Sequence, residues 1–221
     1  MTVMEKQIKI RKVEGLSGCQ GLEEFESLLS NGTKGAVDCV CWPEEFPHKP
    51  DCRFSIGWCG KGIGILFNVK EPGVRAVALE DNGRVWEDSC CEFFISDPSD
   101  GTYYNFELNC IGTLLAAKRS SRTDCKHFTL DQTSLVRRFS TFPHKQIETG
   151  DELQEWSLGM FIPFSLIGID GENLPAELRL NIYKCGDLTA HPHYLSWSPV
   201  LTEKPDFHRP EYFGRAELAE D

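Results

Sequence analysis

The stretch SCCEFFISDPSDGTYYNFELN, residues 89–109, decides the reading of the fold. Two runs of aromatic, aliphatic and thiol side chains flank DPSDG, and strand formers on either side of Pro, Asp, Ser and Gly read as two strands joined by a turn. Side chains alternate across a strand, so Cys91, Phe93 and Ile95 share one face while Cys90, Glu92 and Phe94 share the other. The first set is expected to face a core. In the second run Asn105, Glu107 and Asn109 lie on one face, with Tyr104, Phe106 and Leu108 on its reverse. With both strands in one sheet, Glu92, Asn105 and Glu107 come onto a common polar surface. That surface reads equally as an ordinary wetted face or as a place for ligand contact.

Working outward, the same signal recurs. GIGILFNVK (62–70), VRAVALE (74–80), TYYNFELNCIGTLLAAK (102–118), ELQEWSLGMFIP (152–163) and ELRLNIYKC (177–185) all read as strands. Glu71-Pro72-Gly73 and Asp81-Asn82-Gly83 supply turns between them. Closely spaced strands joined by turns point to an all-β antiparallel sandwich with long loops. Helix is scarce: GLEEFESLLS (21–30) predicts a short one, and FSLIG after Pro163 a single turn. The aromatic, Pro-rich tail HPHYLSWSPVLTEKPDFHRPEYFG is expected to pack as loops across one face or end. No repeat, linker or composition shift divides the chain, so 1–221 reads as one domain.

With 221 residues, 40% of them hydrophobic, the chain can bury a sizeable core. Thirty-four acids against 23 bases give a formal charge of -11, an average field that repels nucleic acid. The cluster Lys118, Arg119, Arg122, Lys126, Arg137 and Arg138 reads as a solvated loop. The sequence has no membrane-span candidate and no signal-peptide pattern, so the expectation is a soluble chain. It is cytoplasmic by its cysteine content, or secreted or periplasmic if a leader has been removed, and its oligomeric state is open. The ten cysteines lack a paired CxxC spacing, and several sit inside strand-like runs as small hydrophobes, which favours free thiols over a disulfide framework or a zinc site. Cys185, His191, His193 and the later His208 make no ligand quartet. DPSDG and TLDQT offer oxygens without matching an EF-hand loop, so the reading is no cofactor, with a structural Ca²⁺ left open.

Trp86 follows a turn and precedes a strand, where a tryptophan either packs half-buried or offers its flat face to a ligand. Such a face suits the C–H side of a pyranose, with carboxylates and amides taking the hydroxyls. Glu87, Asp88, Glu92 and Glu107 contain candidate carboxylate pairs for glycoside hydrolysis, but nothing selects one as proton donor. Glu87 and Asp88 read better as loop-shaping residues. GWCGKGIGI contains neither a P-loop nor GxGxxG, and there is no GxSxG elbow.

The segments VWEDSCCEFFI, GTYYNFELNCIGTLL, LRLNIYKCGD, PHYLSWSP and KPDFHRPEYFG, in this order over about residues 84–214, resemble family 9-like carbohydrate-binding modules of the Bacteroides type. The resemblance implies a β-sandwich related to the DOMON superfamily. It also implies a non-catalytic carbohydrate ligand, the terminal sugar of a β-glucan or xylan chain clamped between aromatic rings, in the setting of polysaccharide degradation. The motif W-E-x-D-S-x-E-x-F-I assigns the first ring to Trp86 and the strand acid to Glu92. The motif aromatic-x-x-P-x-x-F-G, here Phe207 to Gly214, assigns the second ring to Phe207 where a tryptophan is usual. A basic strand residue of the family falls at about Glu107. Arg84, Asn105, Glu107, His208 and Arg209 complete the expected ligand set, while Trp197 in LSWSP is expected in the core or at a sheet edge. Two alternatives stay open: a glycoside-active enzyme using Glu92 and Glu107, and a haem or small-ligand binder drawing on Met160 and the late histidines.

Overall fold

The computed structural model describes residues 5–99 and 101–220, so Asp100 of the DPSDG turn, with its suggested calcium oxygen, lies outside the described residues. Among the described residues the first eight strands are β1 (Gln7–Arg11), β2 (Thr33–Ala36), β3 (Cys39–Val40), β4 (Asp51–Cys59), β5 (Gly62–Glu71), β6 (Arg75–Ala76), β7 (Cys90–Ser96) and β8 (Tyr103–Asn109). They are followed by β9 (Leu114–Arg119), β10 (Cys125–His127), β11 (Arg137–Ser140), β12 (Ile147–Glu148), β13 (Gln154–Pro163), β14 (Leu178–Cys185), β15 (Tyr194–Ser196) and β16 (Gly214–Ala219). Helix is limited to α1 (Leu22–Leu29), the single turns α2 (Leu130–Thr133) and α3 (Phe164–Ile167), and three short 3₁₀ segments.

One large sheet runs β1-β16-β14-β7-β8-β9-β10, with β15 beside β14 and β3 beside β15; a second runs β11-β13-β5-β4-β2, and β12 and β6 pair as a separate two-stranded ribbon. The pairings are antiparallel apart from β1, which lies parallel to β16. The two large sheets face each other as the expected sandwich. Cys91, Phe93 and Ile95 of β7 meet Ile63, Ile65 and Phe67 of β5 and Leu158, Met160 and Ile162 of β13 in one buried cluster, which also holds Trp197. Alternation therefore assigned the inner face of β7 correctly.

The outer face of that sheet is not wetted. Phe94, Tyr103, Tyr183, Phe207, Phe213 and Trp42 form a second buried cluster there, because the tail folds back over it. On the outside of the opposite sheet, α1 lays Phe25 across Gly64 and Gly159, where an added Cβ would approach the ring to 3.0 and 2.7 Å. Small residues in those two strands let the helix sit close.

Two expectations about elements need correction, and one strand was not anticipated. VRAVALE forms only the two-residue β6, because the N–H groups of Val77 and Ala78 donate to the Asp88 carboxylate instead of to a neighbouring strand. The run 102–118 is two strands, broken at Gly112, whose φ of 86° lies in the left-handed region that favours glycine. The cysteine-rich segment before residue 60 contributes β4, a central strand of the second sheet. All ten cysteines are free and seven are buried, in keeping with their reading as small hydrophobes. No helix among the described residues is long and apolar enough to cross a membrane.

Candidate functional site

A cleft of about 340 Å³ opens on the outer face of the first sheet. It is lined by Trp86, Glu92, Glu107, Arg119, Arg122, Cys185, Asp187, Tyr194, Pro205, Asp206, Phe207 and His208. Its floor comes from strand register. Glu92 of β7 lies directly opposite Glu107 of β8, and Cys185 of β14 directly opposite Cys90 of β7. Period-2 alternation then turns Cys90, Glu92, Glu107 and Cys185 to the same side. Trp86 enters from the 3₁₀ turn Val85–Glu87, which is strapped to the segment after β14: Asp187 N–H donates to Trp86 O at 3.1 Å and Leu188 N–H to Glu87 O at 3.0 Å.

The aromatic residues play unequal parts. Trp86 is half-buried and keeps ring surface toward the cleft. Phe207 is only 8% exposed: its ring stacks on Tyr183 at 4.1 Å between centroids and 14° between planes, with Trp42 and Tyr194 close by. It is a wall of the cleft, not a projecting platform. Tyr194, half-buried on β15, is the other ring lining the cavity.

The polar groups form one network. Asn105 is fully buried beneath the cleft, donating to Glu107 Oε1 at 2.9 Å and accepting from Arg119 Nε at 2.7 Å. Arg119 also donates to the carbonyl of Arg122 at 2.7 Å, and Arg122 reaches Asp206 at 3.7 Å. His208 Nδ1 lies 3.1 Å from the Tyr103 hydroxyl and its Nε2 3.9 Å from Glu107. Burial pushes Glu107 up to about 7, against the pull of Arg119 and the Asn105 hydrogen bond. Burial, and then the neighbouring Glu107, drive Glu92 well above the usual carboxylate range. Burial raises Asp187 to about 6, and burial with Arg119 and Arg122 lowers His208 to about 3. At neutral pH the imidazole is neutral, with one ring nitrogen donating and the other accepting.

A pH dependence follows. Between about 4.5 and about 7 the folded chain keeps a proton on Glu107 that the unfolded chain has released, so this residue makes stability fall as pH rises through that window. His208 gives the opposite slope between about 3 and 6.5, because only the unfolded chain is protonated there. The Glu107 contribution is therefore read as a difference between variants. Urea titrations of Glu107→Gln and wild type across pH 4–8 should diverge in favour of the variant by about 2–4 kcal/mol. A constant difference would show that Glu107 titrates normally.

Of the eight residues proposed from sequence, the cleft gathers Trp86, Glu92, Glu107, Phe207 and His208. Asn105 lies under them. Arg84 stands exposed, paired with Glu87 at 3.1 Å, and Arg209 pairs with Glu211 and lies over Tyr212; neither lines the cavity. Sequence reasoning passed over Arg119, Arg122, Asp187 and Tyr194. The two arginines had been read as part of a solvated loop, yet Arg119 is only 8% exposed. Their signal was the position of Arg119 at the end of a strand, where alternation puts it on the face of Asn105 and Glu107. The proposed metal grouping also separates. His193 is held by Lys184 and His191 pairs with Asp151, while Cys185 points into the cleft. Met160 lies in the sandwich core.

The family profile described as carbohydrate-binding family 9 matches residues 26–218. The chain is similar to a candidate carbohydrate-binding protein from Bacteroides uniformis, with 36% identity, 98% of this chain and 100% of that one covered, and a TM-score of 0.89. A family 9 carbohydrate-binding module from Caldicellulosiruptor kristjanssonii is similar in two structures. The one with cellotriose gives 10% identity, coverage of 98% and 95%, and a TM-score of 0.62. The one with glucose gives 9% identity, coverage of 98% and 97%, and a TM-score of 0.60. At such identities the likeness to the module is one of fold. No curated protein sequence matches this chain.

Proposed function

Because the chain belongs to carbohydrate-binding family 9, we propose that its cleft binds the terminal sugar of a glycan of the β-glucan or xylan type, without catalysis. The observation that carries the reading is the combination in one cavity of a half-buried tryptophan ring with the buried acids Glu92 and Glu107 and the buried Arg119. Trp86 stacks on the C–H face of the sugar, and Phe207 and Tyr194 form the facing wall. Arg119, Arg122, Asp187 and Glu107 meet the hydroxyls, which act as both donors and acceptors. The volume, at the low end of the roughly 300–1,000 Å³ of small-ligand sites, suits one or two sugar rings better than a long chain.

Binding is favoured over hydrolysis by the placement of the acids. Glu92 and Glu107 are cross-strand neighbours side by side in the floor, whereas a glycosidase holds its two carboxyl groups on either side of the scissile bond. A haem role through a Met160–histidine pair is disfavoured, since Met160 is fully buried between the sheets.

Calorimetric titration with glucose, cellobiose, cellotriose and xylobiose tests the proposal. Trp86→Ala is expected to lose about 1.5–3 kcal/mol of binding, or roughly 10–150-fold in Kd, while its unfolding midpoint stays near that of the parent. Equal binding by the variant, or no binding by the parent to any of these sugars, would sink the reading.

A further inference from the structure

We propose that Cys90, Glu92 and Cys185 form a transition-metal site of the Zn²⁺ class in the floor of the cleft, binding the ion through two thiolates and one carboxylate with its fourth position open to the cleft. Cys90 and Cys185 face each other in register across β7 and β14, and Glu92 follows Cys90 on the same face. One ligand atom from each of the three lies within 4.8 Å of the other two. Cys185 Sγ is 3.1 Å from Glu92 Oε1. With Zn–S near 2.3 Å and Zn–O near 2.0 Å, tetrahedral coordination asks for about 3.8 Å between sulfurs and about 3.5 Å from sulfur to oxygen. The 3.1 Å contact and the 4.8 Å limit bracket those spacings.

The chemistry of the three donors points to the same ion. Two sulfurs favour zinc or cobalt over calcium or magnesium, which prefer oxygen alone. All three side chains are at most 3% exposed, so the site excludes casual solvent ions. Glu92 and Cys185 line the cleft while Cys90 stands behind them, which leaves the side toward the cavity for water or a ligand hydroxyl. Three anionic ligands around a dication leave one negative charge, offset by Arg119 in the same cleft. The two thiol protons leave as the metal enters, together with that of Glu92 when it is protonated. The site is independent of the sugar reading, because metal uptake is measured with no glycan present.

The test uses Co²⁺ alone, titrated into the reduced full chain carrying Cys125→Ser. That background removes an exposed thiol 3.8 Å from His127, a competing soft pair. One equivalent of Co²⁺ should produce thiolate-to-cobalt charge-transfer and tetrahedral d–d absorption, and Zn²⁺ should abolish both. Cys185→Ser should remove the charge-transfer intensity. Glu92→Gln should weaken binding more than about 100-fold, since even outer-shell partners of a metal are worth 10–100-fold. Circular dichroism accompanies each variant, and should Cys185→Ser not fold, the near-isosteric Glu92→Gln decides alone. Absent bands in the folded parent, bands persisting in folded Cys185→Ser, unchanged affinity in Glu92→Gln, or a Cys90–Cys185 disulfide isolated from the parent would each overturn the site.

Discussion

Asp88→Ala should destabilise the protein by about 3–5 kcal/mol, the cost of removing one partner from a buried ion pair, whereas Trp86→Ala two residues away is expected to leave stability near that of the parent. Asp88 is fully buried. One carboxylate oxygen takes the Arg75 guanidinium; the other accepts from the N–H groups of Val77 and Ala78 and from Asn109 Nδ2, each at 3.0 Å. A single side chain thus ties the segment after β6, the end of β8 and the turn that carries Trp86. Alanine leaves the Val77 and Ala78 N–H groups without an acceptor and strips the buried carboxylate from Arg75, which keeps the Glu87 carbonyl and the exposed Glu148, and from Asn109, which keeps the Ala78 carbonyl; hydrogen bonds to charged groups are individually worth about 1.5–3 kcal/mol. Asp88→Asn keeps one acceptor oxygen and should cost about half as much. Sugar affinity should fall in both variants, since Trp86 stands two residues from the lost anchor. Urea denaturation measures the first effect, and a loss below about 1 kcal/mol would mean that the loop is held by other contacts.

This residue also shows how far the sequence could be read. Demoting Asp88 from chemistry to loop shaping agrees with its contacts, but the acceptor role extends to Val77 and Ala78, which had been assigned to a strand. Hydrophobic pattern alone made VRAVALE a strand; a buried carboxylate eleven residues later decided otherwise. Alternation over residues 90–96 and 103–109 fixed which side chains share a face, and thereby brought Glu92, Asn105 and Glu107 together before any coordinates. It could not say what covers that face. The cover is the tail around Phe207, whose ring stacks on Tyr183 rather than standing free. Arg119, Asp187 and Tyr194 reach the cleft from β9, from the loop after β14 and from β15, contacts of long sequence separation that periodicity does not encode. The strand β4 was hidden for a simpler reason: Cys52, Ser55, Gly57 and Cys59 weaken the usual β-branched signal in a segment whose cysteines invited other readings.

Lys184→Met should cost about 3–5 kcal/mol, and the second change Glu71→Leu should recover most of that loss. Lys184 is fully buried and points into the sandwich, opposite in direction to its neighbour Cys185. Its Nζ lies 2.9 Å from Glu71 Oε2 at the end of β5, so the pair joins the two sheets. His193 Nε2 accepts from the ammonium at 2.8 Å while its Nδ1–H donates to the carbonyl of His191 at 2.7 Å, which fixes a neutral tautomer. Burial, and then the Lys184 charge, hold the imidazole well below its ordinary pKa while Lys184 is in place. In the single variant Glu71, 1% exposed, loses its ammonium partner and keeps His193, with Nε2 3.5 Å from Oε2, as its basic neighbour. The pair as a whole has a different balance: desolvating two ions largely cancels their attraction, and apolar replacements of similar volume are often neutral. A double-mutant cycle in urea should therefore give a strongly favourable coupling between positions 71 and 184 with a near-neutral double variant. Additive single losses would mean that Lys184 acts mainly through its contact with Trp156, 5.8 Å from the ring centre, and not through Glu71.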